Sequence, residues 1–308
     1  MAHLEFTPRI AFSGAISAMT RTRMTVTDQK TGGSPSGSNG RSSVAGGFLR
    51  WWLQSWHPIV FLAVVIVLWW LVTAQGWVQP YIIPAPSDTW AAFAENAEYL
   101  LQHTWVTTYE TLIGFAIAGV AGLLVAVIMV YSKGLEKTFY PVILFAQVIP
   151  KIAIAPLFIV WLGFGAAPKI LVAVLMAFFP VVISGLAGLR SVDPEILQLV
   201  STMGASRLKV LLKVRLPAAL PELLSGLKVA ATLAVTGAVV GEFVGANEGL
   251  GYVILQANGI LDTAMLFAAL IIMSVMGVVL FAIIQIAEKF LIPWHASRRD
   301  VAAATVRF

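Results

Sequence analysis

Long apolar runs separated by short polar breaks dominate the chain from Phe48 onward. A helix needs about 20 apolar residues to cross the hydrocarbon core of a bilayer. Six stretches approach that length: 58–75, 111–131, 139–162, 170–189, 226–244 and 264–287. The third contains Pro141, Pro150, Lys151 and Pro156 and is expected to be bent or broken. Trp51, Trp52 and Trp56 at one end of the first run, and Trp77 at the other, stand where interfacial aromatics belong. The pattern predicts an all-α, polytopic membrane protein with about six transmembrane helices. Residues 1–47 break it. The stretch from Thr31 to Gly47 is rich in Gly and Ser, with Arg41 as its one charge, and buries too little apolar surface to offset the entropy of ordering. The expected organisation is a disordered tail over 1–47, a membrane domain over 48–295 with a long loop at 190–217, and a second tail over 296–308.

Charge placement sets the direction of insertion. The segments 76–104 and 247–264 hold Asp88, Glu95, Glu98, Glu248 and Asp262 but no Lys or Arg. Arg50, Lys133, Lys137, Arg190, Arg207, Lys209, Lys213, Arg215, Lys289, Arg298 and Arg299 fall in the alternate segments. Basic residues are retained on the cytoplasmic side of a bilayer, so both termini are expected in the cytoplasm. Lys169, near the outer end of the fourth run, is the exception and is expected to snorkel to the interface. Composition agrees with a lipid-facing surface: 59% of residues are apolar and 11% charged, against roughly 25% charged in soluble domains. The net charge of +5 would suggest nucleic acid as a partner of a soluble protein. Basic inner loops beside membrane lipid account for it here, and no nucleic-acid partner is expected.

The chain has no cysteine, which excludes disulfides, thiolate metal sites and cysteine nucleophiles. Its histidines, at 3, 57, 103 and 295, lack ligand spacing, so no metal site is expected. Two runs carry small-residue ribbons that let helices approach closely in lipid: Gly114, Ala118, Gly122 and Ala126, then Gly226, Ala230, Ala234 and Ala238. Lys151 and Glu242 are taken as the charged residues inside spans. A charge there should face a cavity or a partner, which makes both candidates for a pathway. Asn247, in the outer Asn-Glu-Gly turn, is a third.

The loop 190–217 is the longest break on the inner side. Asp193 followed by Pro194 marks a helix start, and Gly204 a helix end in left-handed conformation. Ser206 then caps a second short helix reaching about Lys213, with Leu208, Leu211 and Leu212 on one face. Such a helix suits either a groove in a partner or the lipid interface.

The loop resembles the EAA loop of bacterial ABC-importer permeases: Gly204, nine residues, then Val214, Arg215, Leu216 and Pro217. The Glu-Ala-Ala triplet is replaced by Gln198, Leu199 and Val200. The stretches IIPAPSDTW (82–90), VIPKIAIAPLFIVWLGFG (148–165), FFPVVISGLAGLRSVDPE (178–195) and VVGEFVGANEGLGYVILQA (239–257) are similar to the branch that handles nitrate, taurine, alkanesulfonates, thiamine pyrimidines or riboflavin. The likeness spans about 55–295. It implies a type I ABC-importer permease fold in the bacterial cytoplasmic (inner) membrane. It also implies a permease homodimer, a cytoplasmic ATPase dimer that binds ATP and Mg, and an extracytoplasmic solute-binding protein. The coupling segment it implies comprises Gly204, Ala205, Ser206, Arg207, Leu208, Leu211, Leu212, Leu216 and Pro217. Its wording leans toward a thiamine pyrimidine precursor or riboflavin, with nitrate, taurine or alkanesulfonate as the alternative. The chain has no GxxxxGK[ST] phosphate cradle, so ATP would be hydrolysed by another chain and no cofactor is expected in this one. Two other classes are an ATP-independent secondary transporter, for which the expected inverted repeat is not visible, and a membrane-embedded enzyme, for which Lys151 and Glu242 make a poor catalytic set.

Overall fold

The computed structural model describes residues 44–292. The tails expected over 1–47 and 296–308 lie outside these residues, except 44–47, where the first helix begins. The helices are α1 (Val44–Ala74), α2 (Pro86–Glu95), α3 (Ala97–Tyr131), α4 (Lys133–Val148), α5 (Ala155–Leu162), α6 (Ala166–Arg190), α7 (Pro194–Thr202), α8 (Arg207–Val210), α9 (Leu216–Gly245), α10 (Leu250–Gly259) and α11 (Thr263–Leu291). No strand occurs among the described residues.

Among the described residues, four helical stretches are long and apolar enough to cross a membrane, α3, α6, the continuous run Arg207–Gly245 and α11, and the bent pair Lys133–Val148 with Lys151–Leu162 makes a fifth if it is one span. The third predicted run is broken as its prolines demand. Ile149 is extended, as a residue before proline prefers. A short 3₁₀ turn at Lys151–Ile154 follows, and α4 meets the Lys151–Leu162 segment at 87°. The first run lies in α1, whose apolar part is Ile59–Ala74. Phe61, Val120 and Val278 are among many large apolar side chains left on the outside, a surface that suits lipid tails or a second subunit and not water.

The centre is a three-helix core in which α6 lies between α3 and α9. Both small-residue ribbons face it. A Cβ built on Gly114 would stand 2.6 Å from the Cβ of Ala173, and one on Gly237 would stand 2.6 Å from the Cα of Ala173. Ala173 is therefore gripped from both sides, and Ala118, Ala126, Ala230, Ala234 and Ala238 are fully buried. In lipid such contact, not the expulsion of water, holds helices together. Two ion pairs fasten the periphery: Arg190 with Glu136 of α4, and Lys228 of α9 with Glu288 of α11.

Gly237→Leu forces a side chain into backbone of α6, an overpacking that costs about 1–3 kcal/mol or more. Thermal unfolding in detergent should show a lowered midpoint for this variant. Gly277→Ala, at a glycine with no neighbour near its Cβ position, should be neutral.

Candidate functional site

Two regions at opposite ends of the same three helices are built from polar side chains. At one end α3 presents His103, Thr107 and Glu110, spaced by four and three residues and so on one face. All three are buried. Lys169 from the first turns of α6 forms an ion pair with Glu110. Lys169 is 6% exposed and Glu110 1% exposed, so the lysine expected to snorkel instead turns inward. The reason is a partner invisible in a linear reading: an unpaired ammonium would reach for the interface, but a carboxylate on the neighbouring helix holds it.

Glu242, near the end of α9, is fully buried. Its Oε1 accepts from the Thr107 hydroxyl at 2.7 Å and its Oε2 from the Gly251 N–H at 2.5 Å. The Leu250 N–H donates to Thr107 Oγ1 at 2.8 Å, and the Gly249 N–H to His103 Nδ1 at 2.9 Å. Side chains of α3 and α9 thus satisfy the first free N–H groups of α10, which would otherwise be orphaned inside the protein. Gly249, at φ 110°, has to be glycine, since a Cβ there would stand 2.1 Å from Glu242 Oε1. The Asn-Glu-Gly turn read from the sequence is therefore the buttressed start of a packed helix, with Leu250, Val253 and Ile254 buried.

Beside this cluster lies a cavity of about 500 Å3. Trp105, Tyr109 and Phe164 form its apolar wall, the Glu110–Lys169 pair its inner side, and Asn247 and Glu248 its rim. Of the three pathway candidates, Asn247 borders this cavity and Glu242 sits in the hydrogen-bonded cluster behind it. Lys151 is elsewhere: its ammonium donates to the Gln147 carbonyl at 3.1 Å and lies 5.2 Å from the centre of the Phe179 ring. The expectation that Lys151 and Glu242 are the charges inside spans is corrected by Glu110, Lys169 and Lys228, which lie within α3, α6 and α9 and are all paired.

At the other end is the long loop. Asp193 caps α7, its Oδ1 accepting from the Glu195 N–H at 2.9 Å. Gly204 has φ 76°, and the Ala205 N–H returns to the Val200 carbonyl at 3.3 Å, closing the helix in the manner glycine permits. Ser206 Oγ accepts from the Lys209 N–H at 3.4 Å and opens α8. The sequence places the end of this helix near Lys213. In the structure it does not end. A π-helical turn, Leu211–Arg215, joins it to α9, with the Leu216 N–H bonded to the Leu211 carbonyl. Pro217 has no N–H for the Lys213 carbonyl and its ring crowds that turn; a widened turn just before it relieves both.

The three leucines divide. Leu208 is 63% and Leu212 53% exposed, while Leu211 packs against the buried cluster of Met129, Leu186 and Leu189. Two side chains fix the loop to the bundle. The Tyr131 hydroxyl donates to the Arg207 carbonyl at 2.9 Å, and Arg215 Nη1 donates to the Leu189 carbonyl at 3.0 Å. The Arg215 guanidinium lies 5.7 Å from the centre of the Tyr131 ring. Neither tie was foreseen, because each joins residues far apart in the chain.

Residues 118–293 match the family described as the binding-protein-dependent transport system inner membrane component. The chain is 36% identical to the formylaminopyrimidine transport permease protein ThiX of Halalkalibacterium halodurans, over 79% of this chain and 97% of that one. It is 36% identical to the riboflavin transport system permease protein RibX of Chloroflexus aurantiacus, over 77% and 90%. It is 32% identical to the putative aliphatic sulfonates transport permease protein SsuC of Bacillus subtilis, over 76% and 86%. Among solved structures, an inward-facing MetNI methionine ABC transporter chain superposes with a TM-score of 0.55 at 23% identity, covering 63% of this chain and 94% of that one. That likeness concerns the fold.

Glu242→Leu removes the acceptor of the Gly251 N–H, and an unsatisfied buried donor costs about 1–3 kcal/mol. Thermal unfolding in detergent should show that loss, and a smaller one for Glu242→Gln, which keeps a carbonyl oxygen for Gly251.

Proposed function

The chain belongs to the binding-protein-dependent transport system inner membrane component family and is a multi-pass permease subunit of an ATP-binding-cassette importer; on that premise we propose that two copies form one translocation pathway, driven by a separate ATPase dimer gripping the segment Gly204–Leu212. The observation that carries the coupling role is the pair Leu208 and Leu212, one helical turn apart and both exposed on a helix otherwise anchored to the core by Leu211. Exposed leucines on a basic loop are costly in water and suit an apolar groove on a cytoplasmic partner. Ala205, Ser206 and Arg207 shape the entry to this helix, and Leu216 and Pro217 its continuation into α9.

The orientation we propose has both termini in the cytoplasm, supported by Lys133, Lys137, Arg190, Arg207, Lys209, Lys213 and Arg215 at the loop end and by the acids at the other. An extracytoplasmic binding protein would deliver solute to the end that holds α2 and α10. The membrane domain over 48–295, with its tails, would thus work as one permease unit in the bacterial inner membrane. The solute we propose is a thiamine pyrimidine precursor or riboflavin, supported by the likeness to the formylaminopyrimidine and riboflavin permeases. A sulfonate is the second reading, from the aliphatic sulfonates relative. In the proposed cycle the ATPase dimer closes on ATP, displaces α8 on each permease and tips the pathway from inward-open to outward-open. Because α8 continues into α9 without a break, that displacement acts along a helix of 39 residues, Arg207–Gly245.

Leu208→Asp with Leu212→Asp changes exposed positions only. The co-purified ATPase should fall roughly tenfold or more, as loss of an apolar anchor worth about 1.4 kcal/mol requires, with the unfolding midpoint unchanged. Undiminished retention counts against the docking role. Arg215→Met leaves both leucines in place but cuts the tie to Leu189. It should retain the ATPase while lowering the solute moved per ATP hydrolysed, measured in proteoliposomes.

A further inference from the structure

We infer that the cavity bounded by Trp105, Tyr109, Phe164, Glu110, Lys169 and Asn247 is a solute-contact site on the pathway, and that its chemistry selects a neutral or cationic planar nitrogen heterocycle over an anionic solute. The inference rests on the permease reading and deepens it by naming what this site accepts. Three observations support it together. First, the wall is aromatic. Trp105 and Tyr109 stand four residues apart on one face of α3, and Phe164 faces the same space. Rings there offer flat surfaces on which another ring stacks. A volume of about 500 Å3 admits a one- to three-ring solute.

Second, the hydrogen-bonding inventory is lopsided toward acceptors. Lys169, the cation at the cavity, is already committed to Glu110. Glu110 Oε2 is buried and has no hydrogen-bond partner among the described residues. Glu248 stands exposed at the rim, and Asn247 beside it can both accept and donate. A solute bearing N–H groups satisfies these acceptors. A sulfonate or nitrate brings more acceptors and leaves them unmet.

Third, among the described residues the cavity offers no free cation. Glu110 and Glu248 among its lining outnumber Lys169, and the ion pair with Glu110 leaves that ammonium little attraction for a solute anion. An anionic solute would need a free cation at this point. Among the residues lining the cavity there is none besides the paired Lys169.

The test uses cells carrying the intact importer and labelled probes: the aminopyrimidine half of thiamine, riboflavin and taurine. Uptake of at least one heterocycle and none of taurine is expected. Trp105→Ala should raise the uptake KM at least tenfold, and Trp105→Phe should restore it, with membrane levels and co-purified ATPase unchanged. Glu248→Lys, at an exposed rim position, should weaken heterocycle uptake and allow taurine to compete. Taurine uptake by the unaltered protein would overturn the inference while leaving the permease role intact. So would an unchanged KM in both Trp105→Ala and Glu248→Lys. Failure of the permease reading has a separate signature: uptake that persists after ATP depletion under an imposed proton gradient.

Discussion

The contact between α6 and its two neighbours sets the rest of this structure. Helices in lipid gain little from excluding water, so they associate where their backbones can touch and disperse elsewhere. Here Gly114 and Gly122 of α3 and Gly226, Gly237 and Gly241 of α9 bring both helices against α6 at distances no larger side chain would allow. That closeness fixes depth as well as proximity. Lys169 arrives at the level of Glu110 because α3 and α6 are locked a few turns further along, and Glu242 arrives at Thr107 because α9 is locked to the same helix.

Charge within the bilayer follows from this geometry. A lone carboxylate or ammonium inside a span costs roughly 2.5–3.5 kcal/mol on insertion scales. Glu110 with Lys169 and Lys228 with Glu288 offset part of that cost by pairing across helices. Glu242 is answered by a hydroxyl and a backbone N–H, which turns a liability into the support of α10. Polar residues that look costly one at a time become fasteners between helices once their partners are known.

The loop end uses the same helices differently. Arg215 and Tyr131 tie the loop to the last turns of α6 and α3, and the π turn keeps α8 continuous with α9. From Leu216 to Glu242 the chain advances 26 residues, about 39 Å at the α-helical rise. The exposed Leu208 and Leu212 lie at one end of this span, and the polar cluster with its cavity lies at the other.

How much of this was readable in advance differs by element. The apolar runs gave the spanning helices because burial in lipid is a local property, set by some twenty consecutive residues. Pro150 gave the break in the third run, and Asp193, Gly204 and Ser206 gave the turns of the loop, because caps and left-handed glycines act on their immediate neighbours. The small-residue ribbons announced close packing but not its partner. Glu110 stood one residue outside the run drawn for α3, and Lys169 looked like a residue that would reach for the interface. Nothing along the chain says that 59 residues of separation vanish on folding. The sequence by itself determined which segments are helical, apolar, capped or broken, because those are short-range matters. Only the tertiary structure decided which charges are paired, that Gly249 is clasped by His103 and Glu242, and where a cavity remains, because each depends on helices meeting at a common depth.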